Sequence, residues 1–522
     1  MLGHTTTRAV RFVIAGLLLA ACAAPQGSAP GSALRIELPQ QVRLPQNDLA
    51  ALLERRSGQI VIVDQTGNIL VTDQTGRSAV NITREANVGA GASRHVTVYN
   101  WPMWSPDASQ LAFVEVVARR PDVSAVIEYG VEEIIVRRGD DSQTVIVSAQ
   151  GRSTTSAPNT QYRVRQPGRV VIEPESGAGE LVYSALYIAD ATGKAPRTEL
   201  YATEKGRIGY LDWSPDGSRL AFAVEDVETG RVNVNIIASS GATQQSSLRL
   251  FDGASAAWHW TPDSSALLAR VRPAGRNALP VLSLLDANGD KRPTVLSSGS
   301  PLAFFSPQFS PDGRQILTTV EDGRRTYLAL VDRQGKLIRR LTTIEGAVSF
   351  AWSPRGGRAA YITRQSASQA GGLLRLVDVN TGEDKALSAQ PVAGFFWSPD
   401  GSRIAAFSPM RPADITPDLP GIDYTSSQPE NPLMLQTIDV NTRNARQLAY
   451  FEPTDQFRAL IAQFDRFSRS ANIWSPDSTK LVFPLKVSTS RGPVDVIFET
   501  EATGSITPRF IGRGTLAFWS PR

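Results

Sequence analysis

From about residue 58 onward, apolar residues fall into short alternating runs separated by turn residues, the pattern of strands that bury one face. One phrase punctuates the runs: an aromatic, Ser or Thr, Pro, usually Asp, a small residue, then an apolar strand. Its copies begin at Trp104, Trp213, Trp260, Phe309, Trp352, Trp397, Trp474 and Trp519. Most intervals lie between 43 and 49 residues, with two longer ones of 109 and 77. Pro pre-sets the φ of a tight turn and Asp-Gly suits the positions after it, so the phrase predicts a hairpin turn. The aromatic ends one strand and can fill the gap between neighbouring sheets. The unit from Phe309 predicts four antiparallel strands, at 315–320, 326–331, 337–342 and 347–352, with a turn at Asp332 to Gly335.

A period near 45 with four strands per unit predicts an all-β fold, a single β-propeller of four-stranded antiparallel blades. The last copy stops at Arg522 without its following strands, while runs at 59–63, 68–72 and 78–83 precede the first copy without a phrase of their own. Those orphans complete the unit that Trp519 begins. The N- and C-terminal strands are thus expected to pair in one blade and remove the open sheet edges. This count gives eight blades, with seven or six as the alternatives.

The repeated phrase and its strands resemble the PD40, or WD40-like, repeats of the TolB-type β-propellers, over roughly residues 58 to 522. The resemblance implies a propeller with a binding role. The segment from Gln26 to Arg56 is too short for the separate α/β domain that precedes the propeller in TolB itself. Three insertions break the period, at about 118–182, 409–432 and 451–469. In this family the Ser-Pro-Asp-Gly turns share one side of the disc, which places all three insertions on the other. Long loops gathered on one face of a rigid scaffold suit a binding surface. The first insertion contains strand-like runs. The third carries Phe457, Leu460, Ile461 and Phe464 at i, i+3, i+4 and i+7, one apolar stripe of a short helix.

The extreme N-terminus has a different pattern. Arg8 and Arg11 precede an apolar run from Phe12 to Ala21, then Cys22, the layout of a secretory signal over residues 1–21. Leu19-Ala20-Ala21-Cys22 resembles the lipobox of bacterial lipoproteins, which makes Cys22 the expected lipidation site. It is also the chain's one cysteine, so no internal disulfide or thiolate metal cluster can form. Residues 22–45 read as the lipidated Cys and a flexible linker, and 46–522 as the propeller. The expected location is outside the cytoplasm, anchored to the cell membrane or outer membrane. The net charge of +4 includes Arg8 and Arg11, which leave with the signal. With no basic stripe, nucleic acid is not an expected partner.

Catalytic chemistry is hard to find. No Gly-x-Ser-x-Gly elbow and no alternation of strands with helices point to a hydrolase domain. His4, His95 and His259 are the only histidines. His259, between Trp258 and Trp260 on an inner strand, reads as packed or channel-lining. Asp286, Asn288 and Asp290 alternate like calcium ligands, but Lys291 stands where that loop needs Gly and Ser297 where it needs Glu, so a hairpin turn is expected. No metal or other cofactor is expected. The reading is therefore a monomeric, non-catalytic binding module for an envelope protein, peptide or glycan, attached to the membrane by its lipid. Its candidate contacts are Tyr99, Trp101, Tyr129, Tyr424, Phe457, Arg458 and Phe467, because aromatic and Arg side chains carry most interface energy. The alternative is a propeller lyase or hydrolase with carboxylates at the axial channel.

Overall fold

The computed structural model describes residues 58–88, 95–119, 180–240, 247–275, 278–298, 307–365, 369–411, 430–489, 492–505 and 507–522, together with the backbone of five strands between 126 and 174. Each copy of the phrase closes the innermost strand of a blade. Blade 1 runs, from inside outward, Leu516–Trp519, Gln59–Val63, Ile69–Asp73 and Ala79–Asn81. Blade 2 is His95–Trp104, Gln110–Arg119, Glu180–Asp190 and Thr198–Thr203. Blades 3 to 7 begin with Gly206–Trp213, Ser255–Trp260, Gln308–Phe309, Ala347–Trp352 and Gly394–Trp397, and each adds its three outer strands in chain order. In blade 8 the inner position is the single bridge Trp474↔Leu481, followed by Lys480–Thr489, Gly492–Glu501 and Arg509–Arg513. The fold is an eight-bladed, all-β propeller, as the spacing predicts.

The turn geometry explains why the phrase recurs. In blade 7, Gly401 N–H donates to Ser398 O at 2.8 Å, and Ser398 N–H donates across to Arg403 O at 2.9 Å. Ser398 Oγ donates to Asp400 Oδ1 at 2.6 Å, and that carboxylate accepts Ser402 N–H. This is a tight turn followed by a left-handed residue, Gly401 at φ +65. The same slot has positive φ at Gly217, Gly313 and Gly356, and also at Ala108, Ser264 and Ser478, where no glycine stands. Asp286 to Asp290 is likewise a turn: Asp290 N–H caps Asp286 Oδ2 at 3.0 Å between two strands of blade 4.

The ring closes at the chain ends. Leu516–Trp519 pairs antiparallel with Gln59–Val63 in the register Ile60↔Trp519 and Val63↔Leu516. Ser520 N–H donates to Gln59 O and Trp519 N–H to Asn472 O, both at 2.7 Å. Around this seam, Lys480 Nζ donates to Gln74 Oε1 at 2.9 Å and Arg509 to Gln74 O at 2.7 Å, while both cations pair with buried Glu499. Trp519 is fully buried and Phe518 nearly so.

The first insertion follows the second strand of blade 2 and forms a sheet of its own, with strands Val126–Gly130, Glu133–Arg138, Asp141–Val145, Thr160–Gln166 and Arg169–Pro174. Most of the second insertion, 412–429, lies outside the described residues.

Closure predicts that deleting residues 518–522 costs at least the 3 to 5 kcal/mol typical of a lost core aromatic, and exposes strand edges as well. Thermal melting checks this. An unchanged melting temperature would show that the ring does not depend on the seam.

Candidate functional site

The third insertion does not rise from a face of the disc. It turns inward along the axis. Its first helix, α1 (Asp455–Ala462), is capped by Thr454, whose extended backbone lets Oγ1 accept Phe457 N–H at 3.3 Å. After Gln463 comes the single turn α2 (Phe464–Phe467). The apolar stripe read from the sequence is wholly buried. Phe457 meets Phe407 edge-on with centroids 5.4 Å apart, and Phe464 lies 4.4 Å from Phe395. Gly394 lets α1 come this close, because a Cβ there would sit 2.4 Å from Ile461 O.

Hydrogen bonds tie this plug to the ring almost blade by blade. Thr454 Oγ1 donates to Thr515 O at 2.6 Å, and Gln456 Nε2 to Asn100 Oδ1 at 3.2 Å. Tyr210 donates its hydroxyl to Arg466 O at 2.9 Å. His259 Nε2 donates to Asp465 O at 3.2 Å, and Gln308 Nε2 to Ser468 Oγ at 2.9 Å. Arg466 donates to Ala256 O and Arg469 to Phe309 O. α2 also lies against the inner strands of blades 6 and 7. The described plug therefore runs from the insertion face, at Thr515, to the turn face, at Phe309.

Along the side of the plug that meets blades 3 to 5 lies a set of ionisable groups. Burial raises the Asp212 carboxyl to about 7, against the pull of Arg469. Burial lowers His259 to about 3, so its ring is neutral, and lowers Arg466 and Arg469 as well. The Arg466 guanidinium lies 4.4 Å from the centre of the Tyr210 ring. Asp212, His259 and Gln308 each stand one residue before the phrase aromatic, on three consecutive blades. The other copies have Met103, Ala351, Phe396, Ile473 and Phe518 there. Aligning the copies on their aromatic exposes this polar run, which the candidate list missed. Among the described residues, no three His, Cys, Asp or Glu gather closely enough to hold a metal ion.

The candidate contacts need correction. Tyr99 is fully buried, donating to Glu115 at 3.0 Å, with the Arg197 guanidinium 5.3 Å above its ring. Phe457 and Phe467 are core residues of the plug. Trp101 is half-buried and stacks on Phe467 at 4.9 Å, nearly parallel. Its φ of +54, in a bulge between Asn100 and Met103, aims the ring there. Arg458 is half-buried and pairs with Glu452. Aromatic and Arg side chains do mark an interface here, but it is the one between plug and ring. Cys22 and Tyr424 lie outside the described residues, and of Tyr129 only the backbone is described.

No family model matches the chain. It is similar to Tricorn protease homolog 1 of Streptomyces coelicolor, 32% identical over 179 residues, which is 32% of this chain and 16% of that protein. The chain thus spans about a sixth of that relative. Similar solved structures include TolB from Acinetobacter baumannii, at 15% identity and TM-score 0.34, covering 70% of this chain and 82% of that one. An oligogalacturonate lyase in complex with manganese matches at 14% identity and TM-score 0.36, covering 58% and 75%.

Two outcomes test the plug. Gly394→Ala should cost about 1 to 3 kcal/mol by forcing α1 off blade 7, whereas Gly209→Ala, with nothing within 4 Å of its Cβ, should be nearly silent. Equal melting temperatures would mean that α1 is not seated against Gly394. The second concerns Asp212, whose carboxyl rises from 3.8 to about 7 on folding. The native state holds its proton longer, so this stabilisation is complete below about pH 4 and lost as pH rises through about 7. The melting temperature of Asp212→Asn, relative to the natural chain, should therefore climb between about pH 4 and pH 8. A constant difference would mean that Asp212 titrates normally.

Proposed function

We propose that this chain is an exported, lipid-anchored envelope protein whose propeller is a non-catalytic binding and scaffold module for a protein, peptide or glycan. The observation that carries the reading is how the insertions are placed. The axis is filled by the chain's own helices, while the chain between Arg119 and Glu180, the paired ends of two blade 2 strands on the insertion face, carries a further five-stranded sheet. The 409–432 segment leaves the ring on that face too, since it joins the second and third strands of blade 7. A rigid ring carrying added structure on one side is suited to presenting a surface. Asp212, beside the plug, and Asp465, within it, are each 7% exposed, a poor position for handling substrate.

Replacing residues 409–432 with a short Gly-Ser linker tests this. Loop-closure entropy changes slowly with length, so the melting temperature should hold while capture of envelope partners from extract falls. Replacing Asp332 to Gly335 with Asn-Gly alters the turn face and should leave capture intact. If the turn change abolishes capture and the loop change spares it, the binding face is the other one.

A further inference from the structure

Blade 1 is short on its outer side. Its outermost strand, Ala79–Asn81, has three exposed residues, where the outermost strands of the other blades have five to nine. After Asn81 the chain turns inward, Ile82 and Thr83 both donating their N–H to Ile69 O, and crosses to blade 2, where Asn87 N–H donates to Thr97 O. The outer two strands of blade 2 keep half-buried Tyr183 and Tyr187 and exposed Glu199 on the side that looks toward this crossing. The register places Phe113 and Glu115 on the same face, with Tyr99 opposite Glu115.

This face already holds one cation. The Arg197 guanidinium lies 5.3 Å from the centre of the Tyr99 ring and 5.1 Å from that of Tyr187, and it pairs with Glu85 of the crossing segment at 2.8 Å. Buried Glu115 accepts the Tyr99 hydroxyl at 3.0 Å. Further out, Tyr183 and Tyr187 give their hydroxyls to the same Glu199 oxygen, Oε2, at 2.6 and 2.9 Å. Burial and the neighbouring carboxylates raise both phenols, Tyr183 to about 12, so both stay protonated donors. Three carboxylates thus share one guanidinium. Among the described residues, Glu199 has no cation within ion-pair distance, and with both hydroxyls on Oε2 its Oε1 is left to take a donor from outside.

We propose that this cleft, between blades 1 and 2 on the outer wall of the ring, docks one arginine side chain of a protein or peptide partner, which pairs with Glu199 and lies along the Tyr183 ring. Charge complementarity selects a cation. A guanidinium is planar and weakly hydrated, so it can stack on a phenol and bond to a carboxylate at once, which an ammonium does less well. Arg197 between Tyr99 and Tyr187 is that same arrangement made within the chain. The cleft is not part of the 409–432 surface, so it stands whether or not that surface captures a partner.

Calorimetric titration of the full chain tests the site with N-acetylated, C-amidated Gly-Arg-Gly. The comparison probes are the same peptide with lysine, the same peptide with citrulline, which is the uncharged analogue of arginine, and cellobiose as a neutral sugar. The arginine peptide should bind saturably, more tightly than the lysine peptide and at least about tenfold more tightly than the citrulline peptide. Glu199→Gln should weaken the arginine peptide by about tenfold, and Tyr183→Ala should weaken it more than Tyr183→Phe, which keeps the ring. Glu321→Gln, at an exposed glutamate of blade 5, should change nothing. Glu199 is exposed as well, so the melting temperature of its variant should match that of the natural chain and separate lost binding from lost folding. No saturable arginine-peptide binding up to about 10 mM, lysine or citrulline peptide binding as tightly, unchanged affinity in Glu199→Gln, or cellobiose binding more tightly than the arginine peptide would each overturn the proposal.

Discussion

The ring depends on one contact repeated around it: the indole N–H of six of the seven phrase tryptophans donates to a main-chain carbonyl of the preceding blade. The acceptor is always the residue just before that blade's own aromatic. Trp104 donates to Phe518 O, Trp213 to Met103 O and Trp260 to Asp212 O; Trp352 donates to Gln308 O, Trp397 to Ala351 O and Trp474 to Phe396 O, all between 3.1 and 3.4 Å. A ring that fills the gap between two twisted sheets and also satisfies a buried carbonyl is worth more than its area, since an orphaned carbonyl there costs about 1 to 3 kcal/mol. The two blades outside this chain are held differently. Phe309 has no donor, and Arg333 lies over its ring and pairs with Asp263 of blade 4 at 3.0 Å. Trp519 Nε1 has no partner, and its junction with blade 8 rests on Trp519 N–H donating to Asn472 O and on Lys480 and Arg509 donating to Gln74.

Closing eight sheets edge to edge leaves an opening on the axis that inner-strand side chains alone do not fill. Phe395, Trp258 and Trp101 would face water there. The helices after blade 7 supply the missing apolar surface, which is why their stripe is amphipathic toward the ring. The fit is imperfect at its polar end. Trp258 Nε1, His259 Nδ1, Arg466 Nε and Ser470 Oγ are buried there without partners. Such atoms are costly in a low-dielectric interior. Their concentration at one end of the plug marks where stability was given up and where charge was kept.

The repeat was readable because its physics is local. A Pro-Asp turn and an aromatic at fixed offset specify a hairpin and its packing partner without reference to distant sequence, so blade number and the seam between residues 59–63 and 516–519 follow from spacing. The direction of the third insertion was not readable. Phe457, Arg458 and Phe467 look the same whether they meet another molecule or their own ring, because both contacts bury aromatic and guanidinium surface. Trp101 was hidden for a different reason: its left-handed backbone in a bulge breaks the alternation that pattern reading relies on. The polar run Asp212, His259 and Gln308 was present in the sequence and became visible only when the phrase copies were superposed.

The two faces of the disc differ in mechanical character, which bears on what each can hold. On the turn face, neighbouring hairpins lock together: Asp216 N–H donates to Ser264 Oγ of the next blade at 3.1 Å, and Asp400 N–H to Ser478 Oγ at 3.0 Å. Arg219 reaches Ser264 O and Ala287 O of blade 4. Five of the hairpins are also braced internally by a Ser–Asp bond, so the rim of that opening has little freedom. A small charged group gains most from donors that need no ordering on binding, because the entropy of fixing them has already been lost in folding. The insertion face carries the length variation, as loops between second and third strands can grow without disturbing a blade. The plug that lies between the two faces is pinned at both, to Thr515 O on one side and Phe309 O on the other.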